Sequence, residues 1–339
     1  MPCADTASMN APPEGPLRAA IAGAGVMGRW HARAIEAAGG TLVAVVDPDL
    51  GRARALGAPV SFSSLRDLLD SGKPLDVVHV CTPLPAHEAL VRQAIEAGLH
   101  VIVEKPLAAD AEVTDSLLLA AARKSVLLVP VHQFLFQPGV QRLFRERERL
   151  GPIVRCAFEA ATAGAEARNV HPDELVAEIL PHPLSLFARF AGDSSDGLEQ
   201  LAWATFRPGV GELRALAHAG GTSFEITITT RGRPTRAQLA LLGSRASAQA
   251  DLFHGFAVLE RGAATRARKA TRPFALAGAT LARAGANLAV RAVQHETAYP
   301  GLRELVRRTY ISIAAGSAPP IEARETLAVA RARDAILCA

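Results

Sequence analysis

Apolar positions along this chain follow two rhythms. Over residues 17–22, 41–46, 76–82, 100–104 and 125–131 they form short unbroken runs, separated by stretches with helical spacing such as 86–97 and 110–124. Unbroken runs of that length suit strands buried on both faces, and alternation with helices predicts βαβ units around a parallel sheet. Beyond Gly151 the pattern changes to successive strands at 153–160, 200–206, 212–219, 222–230, 236–242 and 246–252, with turns rich in Gly or Pro between most of them. Residues 222–230, Thr-Ser-Phe-Glu-Ile-Thr-Ile-Thr-Thr, alternate at period two, as a strand does when one face is solvated. A helix-rich tail from about 274 to 339 closes the pattern. The expected fold is an α/β doubly wound parallel sheet followed by an α+β domain with a mainly antiparallel sheet. The boundaries expected are a Pro-rich flexible leader at 1–16, a first domain at 17–131 and a second at 132–339.

Composition narrows the class. The 339 residues are enough for two domains of ordinary size, and 49% hydrophobic with 21% charged content describes globular cores rather than disorder. A net charge of +4 is too small to imply nucleic acid. Cys3, Cys81, Cys156 and Cys338 are widely separated, with no metal-ligand spacing and no disulfide framework. No signal peptide and no apolar span of membrane length is visible, so a cytoplasmic location, a reducing compartment and no metal are expected.

The first candidate chemistry lies between the first two runs. Ile21-Ala-Gly-Ala-Gly-Val-Met-Gly28 places Gly23, Gly25 and Gly28 after a strand and at the start of a helix, and Asp47 ends the next strand. This is the dinucleotide-binding fingerprint of a Rossmann domain. Gly23 makes the tight turn, Gly25 admits a pyrophosphate, and Gly28 lets helix and strand pack closely. The helix N-terminus at Val26 and Met27 offers N–H groups to phosphate. Asp47 accepts ribose hydroxyls and repels a 2′-phosphate, so NAD is expected rather than NADP.

Two further strand ends carry more specific residues: Thr82-Pro83 with His87, and Glu104-Lys105-Pro106 after Ala97-Gly98-Leu99-His100-Val101. Together with the fingerprint they resemble the glucose–fructose oxidoreductase / inositol dehydrogenase (Gfo/Idh/MocA) family. The resemblance implies NAD(P)-dependent hydride transfer at a hydroxyl carbon of a sugar, nucleotide-sugar or cyclitol-like substrate. It implies that Lys105 assists proton transfer and that Thr82, Pro83, His87, Glu104 and Lys105 border the cofactor. A lysine partly desolvated beside a cationic nicotinamide ring would titrate nearer neutrality, as a general base requires. The family's Asp-x-Gly-x-His-x-x-Asp segment corresponds to Glu178-Ile-Leu180-Pro-His182-Pro183-Leu-Ser185. His182 and Glu178 are thereby implied as catalytic partners, with Glu178, Leu180 and Ser185 as departures. Pro183 is expected to push His182 out of the helical region and to open the following helix, leaving a loop to bring Glu178 and His182 together. A third departure is Leu135, where many members carry arginine; His132 and Gln133 remain as substrate candidates. The resemblance also implies a homodimer or homotetramer formed through the open sheet face.

Residues 261–272 hold Arg261, Arg266, Arg268, Lys269 and Arg272 without an acid, and Phe274, Leu281 and Leu288 then recur every seven residues. A solvated basic loop leading into a helix packed on its own domain is the expectation. A cradle for a phosphorylated substrate and a membrane contact through 261–292 are the alternatives. For the whole chain the expectation is an NAD-dependent enzyme acting on CH–OH. A non-catalytic NAD(H)-binding sensor or assembly subunit, and a C=N reductase, stand beside it.

Overall fold

The computed structural model describes residues 15–163, 170–190, 197–198, 201–262, 265–296 and 298–339. The expected leader therefore lies almost wholly outside the described residues. The chain forms two compact units. The first runs to Ala108, resumes over Asp115–Val131 and takes in Arg303–Glu322; the second comprises Ala109–Thr114, His132–Leu302 and Ala323–Ala339.

In the first unit β1 (Arg18–Ala22), β2 (Thr41–Val46), β3 (Val60–Phe62), β4 (Val77–Val80), β5 (His100–Val103) and β6 (Leu128–Pro130) form a wholly parallel sheet. Its order is β3-β2-β1-β4-β5-β6, and the chain reverses direction across the sheet between β1 and β4. The apolar runs read from the sequence are these strands: Ala19 to Ile21, Val77, Val78 and Val101 to Val103 are fully buried. The helices are α1 (Val26–Ala37), α2 (Leu50–Ala55), α3 (Leu65–Asp70), α4 (His87–Glu96) and α5 (Ala111–Arg123), of which the last belongs to this unit from Asp115 onward. Asp49 and Ser64 cap α2 and α3 by accepting from N–H groups of the first turn. β3, α2 and α3 were not expected from the sequence, because their three to six residues are too short to carry a period.

In the second unit the strands are β7 (Ile153–Ala161), β8 (Ala204–Phe206), β9 (Glu212–Ala219), β10 (Thr222–Thr229), β11 (Arg236–Gly243), β12 (Ala246–Asp251) and β13 (Phe256–Arg261). They form one sheet in the order β13-β12-β11-β7-β10-β9-β8, antiparallel except where β10 runs parallel to β7. Along β10, Thr222, Phe224, Ile226 and Ile228 are buried, while Ser223, Glu225, Thr227 and Thr229 point to the other face. That second face carries the ion pairs Arg155–Glu225 and Arg236–Glu159 beside the exposed Leu216 and Leu242. Two helices, α6 (Pro138–Arg145) and α7 (Arg147–Leu150), precede β7, and the covered face meets α8 (Pro172–Ile179) and α9 (Pro181–Phe190), with Phe187 against Phe224 at 5.4 Å between ring centres. The strand expected over 200–206 is confined to Ala204–Phe206, Gln200 lying outside the described residues. β13 was not expected from the sequence.

Three longer helices occupy the tail: α10 (Arg266–Val293), α11 (Leu302–Ala315) and α12 (Ala323–Cys338). All but the first residue of α11 belongs to the first unit. Among the described residues no helix is long and apolar enough to cross a membrane.

Candidate functional site

The end of β1 shows why the three glycines stand where they do. Gly23 has φ +102°, and a Cβ there would lie 2.6 Å from the Cys81 carbonyl oxygen. Its N–H donates to the Val46 carbonyl at 2.8 Å, so the turn is threaded between the ends of β2 and β4. At Gly28 a Cβ would lie 2.1 Å from the Gly23 carbonyl oxygen, which fixes the distance between turn and helix. Gly25 differs from both, because a Cβ there would meet no protein atom within 4 Å. The room above Gly25 is open to a ligand, and Gly25 caps α1 with no side-chain hydrogen bond and no acid in the first turn. Val26 is exposed and Met27 half-buried at that helix start. The N-terminal N–H groups of α1 thus present the positive end of a twelve-residue helix beside the topological switch point.

Asp47 is buried at the end of β2. Its Oδ2 accepts from Ala24 N–H at 2.8 Å and its Oδ1 from Asp49 N–H at 2.9 Å. Each carboxylate oxygen keeps a further lone pair for a ribose hydroxyl. The glycine cradle, the free helix start and this oriented carboxylate fit a dinucleotide, and the fixed negative charge disfavours a 2′-phosphate.

Behind the strand ends lies a polar chain that no local sequence pattern announces. His31 of α1 places Nδ1 2.8 Å from His79 Nδ1 of β4 and Nε2 3.1 Å from Glu104 Oε1. His79 Nε2 lies 2.9 Å from the Tyr310 hydroxyl of α11. All four side chains are buried. With both imidazoles neutral, one donor order satisfies every member. The Tyr310 O–H donates to His79 Nε2, the His79 Nδ1–H to His31 Nδ1, and the His31 Nε2–H to the Glu104 carboxylate. Burial, with His31 adding to it, holds His79 well below the usual histidine range. Burial pushes the Tyr310 phenol up, with the charge of Asp76 adding. The order therefore stays Tyr310 to Glu104, and Glu104 is engaged from behind by His31. Burial also pushes the Cys81 thiol up, with Glu104 adding, so this cysteine is no nucleophile.

Lys105 follows Glu104 and is half-buried, joined to Pro106 by a cis bond. His87 is buried, with Nδ1 2.9 Å from the Pro106 carbonyl and Nε2 2.8 Å from the Thr82 carbonyl. Its two ring nitrogens thus face backbone carbonyls of the loops after β4 and β5. Pro83 opens a short 3-10 turn over Leu84–Ala86, and the buried Thr82 hydroxyl has no protein partner.

In the second unit His132 and Gln133 are buried at the start of a 3-10 turn, Gln133–Phe136. Gln133 Oε1 has no protein partner. Phe134 stacks on His182 with ring centres 4.2 Å apart and planes 23° from parallel. The structure corrects the expectation for this histidine. α9 starts at Pro181, so His182 lies within its first turn rather than outside the helix. Prolines 181 and 183 are tolerated because first-turn N–H groups have no intrahelical acceptor to lose. Glu178 sits on the last turn of α8 and Leu180 is helical, so two abutting helices, not a loop, carry Glu178 and His182. Ser185 donates to the His182 carbonyl at 2.9 Å and is spent inside the helix. Leu135, where the related segment carries arginine, is fully buried.

The basic segment is corrected as well. Helix α10 begins at Arg266, so most of that segment is helical, and Phe274, Leu281 and Leu288 are exposed instead of packed on their own unit.

Comparison with known proteins agrees with this geometry. The profile of the oxidoreductase family with an NAD-binding Rossmann fold matches residues 17–132. Inositol 2-dehydrogenase of Leifsonia xyli is 35% identical over 136 residues, covering 39% of this chain and 37% of that protein. UDP-N-acetylglucosamine 3-dehydrogenase of Acidithiobacillus ferrooxidans is 32% identical over 149 residues, covering 40% and 46%. The match thus spans less than half the length of these curated relatives. Among solved structures, the WlbA dehydrogenase of Bordetella pertussis, with NADH and UDP-GlcNAcA, superposes with a TM-score of 0.73 at 18% identity, covering 96% of this chain and 95% of that one. Levoglucosan dehydrogenase, with NADH and levoglucosan, gives a TM-score of 0.73 at 18% identity over 95% and 96%. These two show the shared fold. Residues 17–132 thus match the oxidoreductase family with an NAD-binding Rossmann fold, Gfo/Idh/MocA.

Proposed function

We propose that the protein is an NAD-dependent dehydrogenase that oxidises a CH–OH group of a sugar, nucleotide-sugar or cyclitol. The observation that carries this reading is the intact cofactor cradle, Gly23, Gly25, Gly28 and Asp47, followed by Lys105 at the end of the neighbouring strands. Bound NAD supplies the hydride acceptor. Lys105 would take the hydroxyl proton at Nζ as the CH–OH carbon is oxidised to a carbonyl. Glu104 is kept in place from behind by His31 and is not free to swing toward the substrate. In the second unit His182 offers a buried imidazole flattened against Phe134, and Gln133 offers a buried amide oxygen. These are the polar groups assigned to substrate hydroxyls, with Glu178 orienting.

Leu135 is fully buried and supplies no cation where many family members carry arginine, which favours a substrate without an anionic group there. The relatives named above act on inositol and on UDP-N-acetylglucosamine, and both belong in the substrate panel. The test follows NADH absorbance with NAD and a panel of cyclitols, free sugars and nucleotide-sugars, comparing wild type with Lys105→Ala. Turnover that Lys105→Ala lowers by at least about a hundredfold, with NADH binding retained, supports the reading. NADH binding without Lys105-dependent turnover across the panel overturns it in favour of a non-catalytic NAD-binding protein.

A further inference from the structure

We propose that α10 docks the protein in the plane of an anionic membrane surface, its apolar stripe among the acyl chains and its cations against lipid phosphates. The back of the helix is fixed to its own unit. Asn287 and Arg291 both donate to the His254 carbonyl, each at 2.9 Å, and Arg272 pairs with Glu260. Leu276, Thr280, Asn287 and Arg291 are half-buried along that side. The opposite side carries Phe274, Leu281 and Leu288, which are 80%, 76% and 67% exposed. Seven-residue steps drift by only about 20° around a helix, so the three form one stripe, roughly 21 Å from end to end. Between them stand Gly278 and Gly285, where an added Cβ would meet nothing within 4 Å. The polar side is thus satisfied within the unit while the largest apolar groups of the helix face away from it.

Charge names the occupant. Residues 261–293 contain seven cations and no acid. Pro273 divides the helix into a basic first part, with Arg266, Arg268, Lys269 and Arg272, and an apolar second part that holds only Arg283 and Arg291. Arg261, Arg266, Lys269 and Arg283 are exposed. Beside the basic part, Arg245, Arg261, Lys269 and Arg272 line an open cleft of about 480 Å³, in which Glu260 is the partner of Arg272. Phe and Leu on one face with Lys and Arg off it is the composition of a helix lying in a bilayer interface. Such a helix sinks its apolar face by about 5–10 Å, which leaves its cations at the level of the headgroups.

The same charges repel a second basic helix, whereas negative lipid attracts them. A protein groove reads large anchors at steps of three and four residues. Here those steps land on Gly278, Gly285 and Ala292, and a fluid acyl phase needs no matching shape. Nor can the helix cross the bilayer, because its longest uncharged run, 273–282, is ten residues, about half the length of a span. A short apolar stripe and a polybasic segment are two weak signals, and stable attachment takes both. The docking makes no use of the cofactor site, so it stands or falls apart from the dehydrogenase reading.

Flotation of the full chain with lipid vesicles, at low and high salt, tests this. Wild type is expected to bind mixed phosphatidylcholine–phosphatidylserine vesicles at least about tenfold better than phosphatidylcholine alone, and high salt should lower that binding. Leu281→Glu, at a solvent-facing position, should lower it at least about tenfold. Lys269→Gln should lower it about fivefold. Both variants should keep the circular dichroism and the NADH affinity of wild type. Brominated acyl chains should quench the added fluorescence of Phe274→Trp, which would place the stripe below the headgroups. Failure to float with the mixed vesicles, or flotation that neither Leu281→Glu nor Lys269→Gln weakens, overturns the proposal. So does flotation in which Phe274→Trp escapes quenching, since the helix would then meet charge alone. Self-association without lipid that Leu281→Glu abolishes, with no flotation, overturns it in favour of a protein partner.

Discussion

His79→Gln isolates the energetic role of the buried Tyr310–His79–His31–Glu104 chain. His79 is fully buried in β4, and burial keeps its ring neutral through the ordinary titration range of histidine. In the unfolded chain the same ring takes a proton as the pH falls through about 6.5. A folded-state pKa below the unfolded one means that the unfolded chain binds the extra proton. Stability is therefore fully present above about pH 6.5 and is lost as the pH falls below it. For one histidine that stays neutral in the fold, the loss between about pH 7.5 and about pH 5.5 is about 1.4 kcal/mol. His100, also lowered by burial, adds to the slope in the same direction and remains in the variant. Glutamine cannot titrate and reaches only one of the two partners, so His79→Gln should cost about 1–3 kcal/mol at about pH 7.5 for the stranded group. The variant should then lose about 1.4 kcal/mol less than wild type on acidification. Urea unfolding followed by Trp30 fluorescence in a Trp203→Phe background reads the first unit separately, because Trp30 lies on α1. Equal acid-induced losses in wild type and His79→Gln would refute the assignment of His79 as the neutral link.

Three other outcomes follow from distances at the cofactor cradle and the 3-10 turn. Gly28→Ala puts a methyl group 2.1 Å from the Gly23 carbonyl oxygen and should destabilise the first unit by about 1–3 kcal/mol; isothermal titration should show NADH affinity lost at least tenfold. Asp47→Ser removes the acceptor of Ala24 N–H and of the ribose, and should weaken NAD binding by about tenfold or more while narrowing the preference over NADP, read from parallel titrations. Unchanged preference would mean that Asp47 does not meet the ribose. Leu135→Arg restores the cation of the related segment but buries it where no solvent reaches. Thermal unfolding should fall by several degrees without gain of activity on anionic sugars.

What the sequence made legible follows burial geometry. Strands covered on both faces read as apolar runs, so β1, β2, β4 and β5 were found close to their ends, and period-two alternation located β10. β3, three half-buried residues, has no period to detect. β13, Phe-Ala-Val-Leu-Glu-Arg, does not alternate, because Ala257 and Val258 are both buried. The proline rules failed at Pro181–Pro183 because they describe average preferences, while the first turn of a helix asks nothing of its N–H groups. The cofactor cradle was readable since its parts are consecutive. The His79–Tyr310 contact joins residues 231 apart, and no local spacing announces it. The outward stripe of α10 was visible as a heptad, but which way it faced depended on the polar anchors Asn287 and Arg291.

The placement of Tyr310 has a bearing on how the polypeptide is made. Gly40 sits where a Cβ would lie 2.5 Å from Tyr310 Cε2, so the surface of the first unit is shaped to receive that ring. Yet Arg303–Glu322 leave the ribosome only after all of 132–302. The nucleotide-binding half therefore emerges first and is finished late, with His79 lacking its terminal donor until α11 arrives. Contacts of such sequence separation form slowly and leave apolar surface uncovered meanwhile. A fragment cut at residue 131 would remain at that unfinished stage, whereas a hybrid retaining 15–131 joined to 303–322 would carry every side chain of the buried chain.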